Sequence, residues 1–173
     1  MAFEENKTVQ EGEIRQAVRV VDFLSGDTNF VDGDIMITAD TITLSTNGFT
    51  DVIDITEKVT RIAEQSGIQN GLVTVFCSGS TGGITTIEFE SGVINDLKKA
   101  IEKIAPSNIP YEHDKRWGDG NGFSHVRAAL MKPSLTIPVV NGKLALGTWQ
   151  QIVFMDFDNR ERKRKVVVQI MGE

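Results

Sequence analysis

The chain has 173 residues, enough for one domain with a hydrophobic core, and its apolar fraction of 40% and charged fraction of 24% are ordinary for a globular protein. A formal net charge of −6 excludes the global basic field that drives non-specific nucleic-acid binding. The one cysteine, Cys77, excludes an intrachain disulfide, and no stretch approaches the roughly 20 apolar residues of a membrane span.

Residues 1–10 are polar and acidic, without the pattern of a secretory signal, and the lack of disulfides fits a reducing compartment. We therefore read the chain as cytoplasmic, with no nucleic-acid or membrane partner. Residues 1–36 differ in pattern from the rest and read as an N-terminal extension, with the domain spanning 37–173. Ile14, Ala17, Val18, Val21 and Leu24 predict a helix over 12–24.

The Ile- and Thr-rich run 37–46 predicts a strand, and 49–53 a second, short one. Asp54, with Glu57 three residues on, opens a helix that Gly67 closes. An apolar strand follows over 72–77, then the Gly-rich loop 78–83, then a strand over 84–90. A second main helix covers 92–105 and stops at Pro106. Residues 106–124 show no periodicity, which in a compact domain points to function. Ser124 is the expected N-cap of a short helix ending at Met131. The remainder reads as two hairpins: 135–140 with 143–147 about Asn141-Gly142, and 149–157 with 162–170 about 158–161. The fold class is α+β, a mixed or antiparallel sheet with two main helices and C-terminal β-hairpins.

Three constellations carry chemistry. His113 and His125 bracket the aperiodic stretch, with Glu112, Asp114 and Asp119 beside them. Imidazole plus carboxylate is a donor set for a divalent metal such as Zn or Mg, although the spacing is no standard zinc motif. The bland alternative is a pair of hydrogen-bonded loop histidines. In the Gly-rich loop, Ser80, Thr81 and the backbone amides could receive a phosphate-like anion, or the segment is a simple turn. Arg160, Arg162, Lys163, Arg164 and Lys165 form a basic run in which Arg162 and Arg164 share one strand face. It reads either as a charge-protected edge or as a phosphate contact. Cys77 reads as a structural cysteine, Trp117 and Trp149 as core or pocket walls, and Glu88 as a residue whose face lines a site or meets water.

Four segments together resemble the YjbQ-like family, also labelled secondary thiamine-phosphate synthase: 79–88, Tyr111-Glu112-His113, 120–128, and 147–152 followed by Asp156-Phe157-Asp158 and Arg160. The resemblance covers 37–171. It implies an α+β fold, a homotrimer with the site near subunit boundaries, and a site that includes His113, His125, Asn121, Thr81 and Glu88. Metal or phosphate-like ions are its implied occupants. Many family members carry a histidine where Gly79 stands here. A three-histidine metal site is thereby excluded, leaving either a metal on His113, His125 and a carboxylate such as Asp119, or an anion site without metal.

Three readings follow. A transferase on small phosphorylated heterocycles would bind pyrophosphate through Arg127, Arg160, Ser80, Thr81 and Asn121, with His125 and His113 catalytic. A metal- or phosphate-binding oligomeric module would lack turnover. A metal-dependent hydrolase would use Glu88 as base.

Overall fold

In the computed structural model, residues 16–18 and 35–173 are described. Alternation decides the first long strand. In β2 (Ile35–Thr46), Ile42, Leu44 and Thr46 are buried while Thr41, Thr43 and Ser45 face solvent. Of the helix expected over 12–24, the described residues Gln16–Val18 form strand β1, antiparallel to the start of β2; the rest lies outside the described residues.

Chain order continues through β3 (Asp51–Asp54), α1 (Thr56–Ser66), β4 (Gly71–Cys77), β5 (Gly82–Ile87) and α2 (Ser91–Ile104). Then come α3 (Glu112–Trp117), α4 (Gly122–Met131), β6 (Ser134–Val140), β7 (Lys143–Leu144), β8 (Gln151–Asp156) and β9 (Arg162–Gly172). The strands make two wholly antiparallel sheets, one of six in the order β1-β2-β9-β4-β6-β7 and one of three in the order β3-β8-β5. The α+β expectation holds.

Three layers result. The inner face of the larger sheet packs with α1 against Ile84, Ile152 and Phe154 of the smaller one. The other face of the smaller sheet, Val153, Met155 and Ile87, packs beneath α2 and α4 through Ile101 and Ala128. Strand β8 lies in the middle with both faces covered, which is why Ile152–Met155 is an unbroken apolar run rather than an alternating one.

Local chemistry explains most boundaries. Asp54 Oδ1 accepts from Thr56 N at 2.8 Å at the start of α1, and Gly67 at φ +75° ends it. The strand expected over 84–90 stops at Ile87, because Glu90 turns to cap α2, accepting from Gly92 N at 2.7 Å and from Val93 N. Asn141 and Gly142 both adopt positive φ in the β6–β7 hairpin, but β7 is only two residues long.

The second expected hairpin does not form. Strand β8 pairs with β3 and β5, and β9 with β2 and β4, so 157–161 crosses from one sheet to the other. Segments 47–50 and 78–81 make the same crossing for β2–β3 and β4–β5. All three meet at one end, where Asp156 is the register partner of both Asp51 and Gly82.

There the inter-sheet core ends in charge. Arg164, on the inner face of β9, donates Nε to Asp156 Oδ2 at 2.7 Å and Nη2 to Asp156 Oδ1 at 2.6 Å. Thr46 Oγ1 from β2 donates to Asp156 Oδ2, and Arg162 Nε to Asp158 Oδ2 at 2.9 Å. Phe49 N bonds Asp158 O at 2.7 Å, drawing two crossings together. Gly48, at φ +72°, sits at that contact: a Cβ there would stand 2.5 Å from the carbonyl oxygens of Asp158 and Arg160. We expect Gly48→Ala to lose at least about 1–2 kcal/mol from the left-handed backbone alone, before the clash is counted. Urea denaturation measures it; an unchanged midpoint would refute the close approach.

Candidate functional site

The aperiodic stretch contains a helix that periodicity could not show. Helix α3 has six residues and none is buried, so it carries no apolar stripe. Gly118, at φ +67°, ends it, its N–H donating to Asp114 O at 2.8 Å. Helix α4 begins at Gly122, with Asn121 rather than Ser124 at the cap position. A Cβ on Gly122 would stand 2.5 Å from Tyr111 Cβ, so the two helices meet closely there. Asp114 Oδ1 accepts from Gly122 N at 2.8 Å and ties α3 to the first turn of α4.

Asn121 and Ser124 are buried and bind this unit to the β8–β9 crossing. Asn121 Oδ1 accepts from Ser124 Oγ at 2.6 Å and from Asn159 N at 3.1 Å, while Asn159 Nδ2 donates to Asp119 O at 2.8 Å. Ser124 Oγ also lies 2.5 Å from Phe157 O, so its one proton serves two acceptors. Asn121 therefore acts through the backbone it holds.

The histidines come together. Their ring centroids are 4.4 Å apart, tilted by 31°. His113 Nδ1 lies 3.3 Å from Asp119 Oδ1 and 3.6 Å from Asp114 Oδ1, yet it is buried and makes no hydrogen bond among the described residues. Asp114 and Asp119 pair with no lysine or arginine among the described residues. Ligand atoms of His113, Asp114 and Asp119 all fall within 4.8 Å of one another. An orphaned imidazole nitrogen facing two uncompensated carboxylates suits a divalent cation, and these residues fit one. His125 joins the cluster by stacking rather than by belonging to that three-atom set. Burial, then the neighbouring His113, hold the His125 imidazole below its ordinary pKa, against the opposing pull of Asp119, Asp158 and Asp114.

His125 also lines a cleft of about 250 Å³ with Gly79, Ser80, Gly82, Ala128 and Pro133, so the Gly-rich loop and one histidine of the pair share one cleft. Ser80 is exposed there. Thr81 turns inward instead: its buried hydroxyl donates to Asp158 Oδ2 at 2.9 Å and accepts from Arg164 Nη2 at 2.8 Å.

Three expected site residues lie elsewhere. Arg127, 4% exposed, donates to Ala105 O, Thr50 Oγ1 and Glu102 and stacks over Phe123, so its guanidinium fastens α4 to α2 and to the β2–β3 crossing. Arg160 is exposed on the β8–β9 crossing, away from the cleft lining. Glu88 is exposed beyond Ile87, at the opposite end of β5 from the Gly-rich loop, about 20 Å away at strand rise. Both tryptophans are exposed rather than core, Trp117 at 67% and Trp149 at 68%. Cys77 is buried as expected.

Reading the sequence missed Asp156, Asp158 and Arg164 as a buried unit. The available signal was a pair of aspartates ending an apolar run, followed by two arginines on one strand face.

Two antiparallel sheets under a helical layer, with a histidine–carboxylate cluster where three crossings meet, define an α+β protein with a small cleft at its sheet junction. The model of the UPF0047 protein YjbQ-like family matches residues 40–173, and the chain belongs to that family. A UPF0047 protein of Methanothermobacter thermautotrophicus is 39% identical over 130 residues, 75% of this chain and 89% of the relative. UPF0047 protein YugU of Bacillus subtilis is 33% identical, with coverage of 76% and 98%. A crystal structure of a YbjQ-like protein of unknown function from Sulfolobus solfataricus superposes with TM-score 0.77 at 32% identity, covering 80% of this chain and 99% of that one. No helix among the described residues is long and apolar enough to cross a membrane.

Because the folded His125 binds its proton more weakly than the unfolded one, the unfolded state takes up more protons as pH falls through about 6.5. Stability is therefore lost on that side. Melting temperature should fall more steeply between pH 7 and 5 for wild type than for His125→Asn. Parallel curves would refute the shift.

Proposed function

We propose that the cleft beside the histidine pair is a divalent-cation-dependent site for a small phosphorylated molecule. The observation that carries this reading is His113 Nδ1, buried and unpartnered beside the Asp114 and Asp119 carboxylates. His113, Asp114 and Asp119 would hold the cation. When bound, such a cation supplies Lewis-acid neutralisation of phosphate charge.

The remaining roles belong to the chain's own groups. His125, held towards its neutral form at the cleft wall, takes or gives a proton there. Ser80 offers a hydroxyl donor at the rim, and the small residues about it let an anion approach the backbone. Thr81, Asn121 and Ser124 fix these groups in place without contacting the ligand. A thiamine-phosphate-type transferase needs a pyrophosphate clamp, and Arg127 and Arg160 give it no support. Hydrolysis or reversible binding of a phosphorylated molecule is favoured instead.

Metal content of purified protein, with wild type beside His113→Ala, tests the reading. Near-stoichiometric metal lost in the variant is expected, as is a rise in melting temperature when pyrophosphate is added to the metal-loaded protein. Wild type that neither carries nor binds divalent metal would refute it.

We also propose a homotrimer. In support, Leu72, Phe76 and Met171 are 43%, 41% and 42% exposed on the open face of the larger sheet, where Leu72 is the register partner of both Met171 and Pro138. Light scattering should give three times the chain mass for wild type, and a lower mass for Leu72→Lys with Phe76→Lys. A monomeric wild type would exclude the assembly.

A further inference from the structure

The turn between β2 and β3 is built from unusual residues for its shape. Asp51 N donates to Gly48 O at 3.0 Å, closing a four-residue turn with Phe49 and Thr50 at its centre. Both central residues have positive φ, +49° and +64°. Asn and Gly are the usual occupants of such a pair, because a bulky or β-branched side chain is strained there. Strain of this kind persists only where the surroundings impose it, and it gathers at sites that bind ligands.

For Thr50 the surroundings are plain. It is buried, and its Oγ1 accepts from Arg127 Nη1 at 3.0 Å. The Phe49 ring is instead 66% exposed, so burial does not offset the strained backbone beneath it. The bond from Phe49 N to Asp158 O could be made by any residue with an N–H. Neither propensity nor packing accounts for an aromatic side chain at this position.

The ring borders a pocket of about 340 Å³ that it shares with Thr50, Lys98, Lys99, Glu102 and Arg127. A pocket of this size can hold a small ligand. Its charges do not cancel. Glu102 is taken up by Ser107 N at 2.7 Å, Ser107 Oγ at 2.9 Å and Arg127 Nη2. Lys99 Nζ lies 3.3 Å from Asp96 Oδ1, both side chains being exposed. Lys98 is half-buried and pairs with no carboxylate among the described residues. The Thr50 hydroxyl accepts from Arg127, which leaves its own proton to donate. A flat apolar face, an unmatched ammonium and a hydroxyl donor are thus gathered in one place.

We propose that this pocket is a second binding site, for a planar aromatic anion whose ring lies on Phe49 and whose acidic group meets Lys98 and the Thr50 hydroxyl. It is separate from the histidine cleft, whose lining includes none of these residues. The strained turn holds the aromatic face out of the core and available to the ligand, and α2 supplies the charge.

Ligand-detected NMR titration of the full chain, with a chelator present so that no bound metal contributes, tests this. 2-Naphthoate and 1-naphthyl phosphate carry ring and charge together. 1-Naphthol carries the ring alone, and acetate and inorganic phosphate the charge alone. At least one probe with ring and charge should bind wild type more tightly than either part, and which one does so tells a carboxylate ligand from a phosphate. Phe49→Asn and Lys98→Gln should each weaken that binding about 10-fold. Asn suits the left-handed backbone, so Phe49→Asn should melt at or above the wild-type temperature. A lower melting temperature for Phe49→Asn would make the ring a structural element and overturn the proposal. A lower mass for that variant in light scattering would make the ring a subunit contact, with the same consequence. No binding of any probe by wild type, or binding unchanged in either variant, overturns it as well.

Discussion

The Arg164–Asp156 ion pair is the constraint on which the sheet junction depends. Asp156 is fully buried and the arginine side chain is 12% exposed, so the pair sits at the closed end of the inter-sheet core. A charge taken out of water this far must be matched, and removing one partner of such a pair costs about 3–5 kcal/mol. Asp156 is matched by a fork from β9, a hydroxyl from β2 and a backbone N–H from its own crossing. Those bonds fix how the two sheets meet, and the crossings that carry Thr81 and Asp158 are positioned as a result.

The site inherits its geometry from that junction. Thr81 is held by Arg164 and Asp158, which sets the Gly-rich loop; Asn159 and Phe157 hold Asn121 and Ser124, which sets the start of α4. The histidines, one on each of two short helices, are brought together by the bond from Gly122 N–H to the Asp114 carboxylate rather than by direct polar contact between them.

Much of the fold could be read from sequence because much of it is amphipathic. Strand β2, helices α1 and α2 and the Asn141-Gly142 turn each declare themselves by period or by turn chemistry. The missed hairpin has a physical reason. Asp158 and Asn159 are common turn-formers, and the sequence pattern does not show that Asp156, paired with Arg164 across the core, ends β8 in one sheet while β9 starts in the other. Helix α3 was illegible because six residues without a buried face leave no pattern. The histidine pair was legible from residue type alone. Arg127 was misread because a buried arginine serving three acceptors has the same sequence appearance as one awaiting a phosphate.

The order of strands bears on how the chain is made. The central strand of the smaller sheet, β8, and the strand that joins β2 to β4 in the larger one, β9, are the last two in the sequence. The bonds from Thr46 to Asp156 and to the carbonyl of Arg162 join residues 110 and 116 positions apart. While the chain is being made, β3 and β5 have no central partner and β2 has no neighbour on its inner side until β8 and β9 have followed them. Pairing over such separations is slow, and the waiting strand edges are open to other chains. A chain of this topology depends on residues 151–172 to close both sheets at once, and one made only as far as β7 carries unpaired edges rather than a smaller folded unit.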